Sequence, residues 1–165
     1  MNAVNHNRSV SPAGRGRRWL SAILIISALG SPISSPAAGP SLELEKRAGK
    51  VVLIDFWASW CVPCRMAFPW MWTMIQRYGA KGFVIIAVNL DKDDQPPPAF
   101  LADFPAMDLQ TIRDPDAVLA KEWKVEAMPT AFLIDKKGKL RYTHKGFLAD
   151  DIPNYEAHIA ELVNE

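Results

Sequence analysis

Cys61 and Cys64 are the only thiols in the chain, and they stand two residues apart in Cys61-Val-Pro-Cys64. Thiols at that spacing can close a small disulfide and reopen it without unfolding the chain around them. Position adds to spacing. A helix is expected from about Cys61 to Tyr78, so the first sulfur lies where backbone N–H groups lack partners and sum to about half a positive charge. Such a place favours thiolate over thiol, and Arg65 adds a cation nearby. A free cysteine, with a pKa of about 8.5, is only slightly ionised at neutral pH. The helix start therefore decides whether Cys61 is a nucleophile.

Other uses of the pair are weaker. A structural disulfide closing so short a loop constrains little of the unfolded chain. A zinc half-site needs two further ligands. Of the three histidines, His6 lies in the N-terminal leader, while His144 and His158 fall on a terminal strand and a surface helix. No metal and no organic cofactor is expected. Buried unpaired cysteines would not need a helix start. Redox exchange is the expected chemistry, with Cys61 as nucleophile and Cys64 as the resolving thiol.

Asp55 precedes Cys61 by six residues, at the core end of an apolar segment. Burial without a partner raises the proton affinity of a carboxylate, so Asp55 is the expected acceptor of the Cys64 proton. A strand-end carboxylate with a satisfied partner is the alternative. Trp60 would flank the sulfurs as shield and contact surface, or simply pack.

The elements that must hold these groups can be read from pattern. Lys50–Trp57 is apolar and β-branched, as in a strand buried on both faces, and Phe83–Asn89 repeats the pattern. Pro63 suits a first helical turn, and Pro69 should bend the helix that contains it. Asp91–Pro98 reads as turn, with Pro96-Pro97-Pro98 a stiff lead into a short helix over Ala99–Phe104. Leu109–Ile112 reads as an edge strand. Asp114-Pro115 is expected to cap a helix reaching Trp123. Thr130–Ile134 and Leu140–Thr143 form a hairpin around Lys136-Lys-Gly-Lys139, and a last helix covers Asp151–Val163. The pattern gives an α/β domain, a central mixed sheet with helices on both faces. Met66, Trp70 and Met74 share one helical face with Met71 beside them. Packing is expected of that cluster before copper binding.

Every charge before Gly39 is an arginine (Arg8, Arg15, Arg17, Arg18), which leaves 15 basic against 18 acidic residues in the body. A mildly acidic body argues against nucleic acid as a partner. The arginines precede the apolar run Leu20–Leu29 and the small residues Ser35-Pro-Ala-Ala-Gly39, so residues 1–38 are expected to be a secretory signal peptide and 39–165 the mature domain. An uncleaved anchor is the alternative. Either way the domain is expected in the periplasm or another extracytoplasmic space.

Phe56-Trp-Ala-Ser-Trp-Cys-Val-Pro-Cys-Arg65 resembles the active-site segment of the thioredoxin superfamily. Ala87-Val-Asn-Leu-Asp91, Met128-Pro-Thr130 and Phe132-Leu-Ile-Asp-Lys-Lys-Gly138 resemble its TlpA/ResA-like branch, from Lys50 to the C-terminus. The resemblance implies a thioredoxin-like fold with one helical insertion between Asn89 and Asp114. It also implies an extracytoplasmic reductase of protein disulfides, recharged by a membrane thiol–disulfide electron carrier; a monomer is expected. Pro129 would be the cis-proline facing the cysteines, leaving the Met128 backbone to pair with an extended substrate. The chain departs from the branch in two ways. After cleavage of the expected signal peptide only about ten residues would stand before Lys50, so the usual leading hairpin should be reduced or missing, and Asp55 stands where the branch often has another residue. Outside enzymology, Cys61, Cys64 and Met128 could instead hold Cu(I) in a non-catalytic delivery module.

Overall fold

The computed structural model describes residues 41–92, Leu101 and residues 109–165. The signal-peptide expectation, the Pro96–Pro98 run and, Leu101 aside, the insertion helix over Ala99–Phe104 lie outside the described residues.

A five-stranded sheet forms the centre: β1 (Val51–Trp57), β2 (Phe83–Asn89), β3 (Leu109–Arg113), β4 (Thr130–Ile134) and β5 (Leu140–Lys145). Their spatial order is β3-β2-β1-β4-β5. β1, β2 and β3 run parallel, while β4 pairs antiparallel with both β1 and β5. β1 thus sits in the middle, and every one of its residues is buried. That position brings Asp55 indoors.

Helices α1 (Val62–Tyr78) and α3 (Ile152–Asn164) cover one face and the short α2 (Val118–Glu122) the other. On the first face Leu53 and Trp57 of β1 pack with Phe68 and Met71 of α1 and Ile159 of α3. On the second, Ile54 and Phe56 meet Leu119 of α2 and Phe132 of β4. Alternate β1 residues feed the two cores, as strand geometry requires.

Several expectations change in detail. α1 contains Pro69 as expected, with Thr73 Oγ1 donating to the Pro69 carbonyl at 3.0 Å, but other elements differ. Asp114-Pro115 does not start a helix: α2 begins at Val118, after Ala117 in a left-handed conformation with φ 53°. Asp114 caps it from a distance, accepting from Val118 N at 2.7 Å and Ala120 N at 3.0 Å. A turn of three residues, Pro115 to Ala117, separates cap and helix, and the Asp114 carboxylate reaches across it. Ahead of β1 the described residues hold only a 3₁₀ turn, Leu44–Arg47, where the branch would place a hairpin. β5 runs two residues further than expected, to Lys145. The Met66–Trp70–Met74 face does not form one cluster: Met66 is exposed, whereas Met74 is buried in the core with Met71.

Candidate active site

The turn after β1 delivers the cysteines. Cys61 is the N-cap of α1 and its Sγ accepts from Cys64 N at 3.3 Å, doing in part what a serine or aspartate oxygen does at a helix start. Pro63 sits in the first turn, where no helical acceptor awaits an N–H. Cys61 and Cys64 are joined in a disulfide, with Cα atoms 5.2 Å apart. Cys64 is fully enclosed, while Cys61 retains 6% of its surface. An attacking or attacked partner therefore meets Cys61 first.

A second bracket fixes the turn that carries Trp60 and Cys61. The Asp91 carboxylate accepts from Ser59 N at 2.9 Å, from Ser59 Oγ at 3.1 Å and from Asn89 Nδ2 at 2.8 Å. Asn89 ends β2 and Asp91 follows it, so the neighbouring strand holds the β1–α1 turn in place. Sequence reasoning set Asn89 and Asp91 aside as a resemblance and a turn. The available signal was their polarity immediately after a fully apolar strand.

Pro129 follows Met128 through a cis peptide bond, as the resemblance implied. A groove of about 440 Å³ runs beside the disulfide, lined by Trp60, Cys61, Leu90, Ala120, Val125 and Met128 among others. Trp60 (69% exposed) lines the groove's cysteine end, and Val62 and Met66 stand exposed at the start of α1. Arg65 is exposed on the first turn of α1.

Asp55 is buried in the middle of β1, and its Oδ2 has no hydrogen-bond partner among the described residues. Burial pushes its carboxyl up to about 7. It borders a small cavity with Pro129 and with Ala67, one helical turn beyond Cys64. Trp60, Cys61 and Met128 thus gather around the groove at one end of the sheet, while Asp55 lies deeper along β1 beside Pro129. The arrangement can form and break one disulfide at the surface and hold a proton behind it.

The two histidines of the body, expected on a terminal strand and a surface helix, meet in the fold. His144 on β5 and His158 on α3 pair through Nε2 and Nδ1 at 3.0 Å. Among the described residues no group of three or more His, Cys, Asp or Glu side chains could hold a metal ion. No helix among them is long and apolar enough to cross a membrane.

Residues 32–159 match the family model named Redoxin. Over 108 residues the chain is 34% identical to the thiol-disulfide oxidoreductase ResA of Bacillus thuringiensis, a match covering 66% of this chain and 62% of that relative. The match thus spans under two thirds of the curated relative's length. A Chlorobium tepidum protein provisionally described as the thiol:disulfide interchange protein DsbE is 42% identical, with a TM-score of 0.67 over 73% of this chain and 84% of that one. The exposed lipoprotein thioredoxin of Streptococcus pneumoniae is 31% identical, with a TM-score of 0.55 over 72% of this chain and 90% of that one. These structures share the thioredoxin-like fold.

Proposed function

The chain belongs to the Redoxin family, and from that premise we propose that it is an exported thiol–disulfide oxidoreductase that reduces protein disulfides. The observation that carries the reading is the Cys61–Cys64 disulfide at the N-cap of α1, with one sulfur reachable and the other enclosed. The oxidoreductase name borne by the Bacillus relative supports it.

The mechanism follows from those positions. In the reduced protein the start of α1 stabilises a Cys61 thiolate, which attacks a substrate disulfide, forms a mixed disulfide and expels one substrate thiolate. Cys64 then passes its proton to the Asp55 carboxylate and attacks Cys61 Sγ. The internal disulfide closes and the second substrate thiolate leaves. Two electrons have moved from the protein to the substrate. Trp60 and the Met128–Pro129 segment flank the groove in which an extended substrate strand would lie. Two further electrons must return from a donor, and outside the cytoplasm a membrane thiol–disulfide carrier is the donor that fits. The arginine-led N-terminal run supports export, and the pneumococcal relative is described as an exposed lipoprotein.

Insulin reduction tests the assignment. Cys61→Ser should abolish it and Cys64→Ser should accumulate the mixed disulfide; turnover surviving Cys61→Ser would refute the role of Cys61. A redox titration sets direction: a potential of about −270 mV supports a reductase, and one of about −120 mV an oxidase. Met128 and Cys61 share the groove, which keeps Cu(I) holding as the competing use. Stoichiometric copper retention by the reduced protein, without disulfide turnover, would favour it.

A further inference from the structure

Asp55, Ala131 and His144 stand side by side across three strands. Asp55 pairs with Ala131 in the β1–β4 register, and Ala131 with His144 in the β4–β5 register. Directly paired residues point to the same face, so all three side chains lie on the side covered by α1 and α3. The middle residue is an alanine, and its small side chain leaves space between the other two. That space is the cavity already met beside Asp55. Its free volume of about 10 Å³ is close to the least that admits one water molecule.

Its walls have the chemistry to hold such a water. Asp55 and Trp70 both line it, and Asp55 Oδ2 and Trp70 Nε1 are each buried without a hydrogen-bond partner. A water needs two or more polar partners, and an acceptor, a donor and the His144 ring border this space. Beyond His144 the polar line continues outward. His144 is buried, whereas its hydrogen-bonded partner His158 is only half-buried on α3. Each imidazole is clamped by a tyrosine: His144 stacks on Tyr155 at 4.0 Å between centroids, and His158 on Tyr142 at 3.7 Å. Tyr142 is in turn anchored by donating to Glu161 Oε2 at 2.7 Å. Neither α1 nor β4 contributes a titratable side chain to the cavity wall.

We propose that the His144–His158 pair is the proton route between Asp55 and solvent, with one water in the cavity as its inner link. Loss of a proton runs outward. The Asp55 carboxylic acid protonates the water, which passes a proton to one ring nitrogen of His144. His144 releases the proton on its other nitrogen to His158, and His158 releases its outward proton to solvent. Asp55 is left as carboxylate, both imidazoles are left neutral, and one proton has gone to bulk. Uptake runs inward and restores the tautomers. Burial and the neighbouring His158 hold His144 down at about 4, so at neutral pH it is a neutral relay rather than a trapped imidazolium. The route makes the Asp55 proton exchangeable although Asp55 itself is enclosed. It rests on the reading of Asp55 as acceptor of the Cys64 proton.

The test uses the oxidised full chain without substrate, so that its outcome is separate from that of the reductase assay. A pH jump from about 6 to about 8 crosses the Asp55 midpoint, and the infrared C=O band of the protonated carboxyl reports its loss. Asp55→Asn identifies the band by removing it. His144→Phe and His158→Phe keep an aromatic ring in each stack but remove the relay. Both should slow the relaxation by about tenfold or more, and added imidazole should restore the rate in His158→Phe. His158 is the outer rung, so that variant keeps the test open if His144→Phe fails to fold. Relaxation at the native rate in His158→Phe overturns the proposal, and so does a slowed rate that imidazole does not restore.

Discussion

Removing the Asp55 carboxyl from water, with Oδ2 left unpartnered, raises its proton affinity from the usual 3.8 to about 7. The folded protein therefore binds more protons at this site than the unfolded chain does between those values. Where the native state binds the extra proton, stability falls as pH rises. Asp55 should thus cost nothing below pH 3.8, increasingly more up to about 7, and a constant amount above it. The full difference is about 4 kcal/mol, at 1.36 kcal/mol per unit. Asp55→Asn should remove this pH dependence, a change visible in urea midpoints measured at pH 4, 6 and 8. A native protein whose Asp55-dependent stability is flat across that range would contradict the burial argument. His144 works with the opposite sign. Its folded value of about 4 lies below 6.5, so it destabilises the fold as pH drops through that window, and His144→Phe should flatten the acid limb. The burial of Asp55 was legible because it stands inside an apolar, β-branched run. The histidine pair was not. Its members are 14 residues apart on different elements, and only the β5–α3 packing brings their nitrogens to 3.0 Å.

At the scale of elements, the site depends on two carboxylates that touch no sulfur. Asp91 ties the β1–α1 turn to the end of β2 through Ser59 and Asn89. Asp91→Ala leaves Ser59 N without its acceptor and should loosen the approach to Cys61. The expected result is a several-fold slower attack by Cys61 on a small disulfide, with global stability reduced by about 1–2 kcal/mol. Stopped-flow thiol exchange and urea unfolding separate the two effects; exchange at the native rate would show that the bracket does not position the turn. Asp114 acts on α2, which forms one wall of the groove. It is fully buried and satisfies two backbone N–H groups, so Asp114→Ala should cost about 3 kcal/mol and Asp114→Asn about half that. Equal unfolding midpoints for the two variants would rule out the capping account. Strands and long helices were readable from apolar pattern, because their core faces are continuous in sequence. The start of α2 was misplaced because Asp114-Pro115 has the chemistry of a helix start. The left-handed Ala117 that delays the helix is not announced by its residue type, since alanine rarely takes that conformation.

The whole molecule divides its labour between the two faces and one end of the sheet. The α2 face is a plain apolar core, whereas the α1–α3 face carries the polar row from Asp55 to His144 within its apolar packing. The disulfide sits at the end where β1 gives way to α1, and there the surface is apolar although the body is mildly acidic. Trp60, Val62 and Met66 are at least half exposed around Cys61. Such side chains gain nothing from standing in water, whereas a substrate strand laid in the groove would cover Trp60. Trp60→Ala discriminates between these readings. The indole is 69% exposed, so its removal should change stability by less than about 0.5 kcal/mol and leave the redox potential in place. If it contacts substrate, kcat/KM for insulin should fall about tenfold, equivalent to about 1.4 kcal/mol of lost binding in the transition state. Reduction of a small aromatic disulfide, which reaches Cys61 without spanning the groove, should hardly change. Equal losses on both substrates would mean that Trp60 serves the dithiol itself, and no loss on either would leave the apolar rim without a part in recognition.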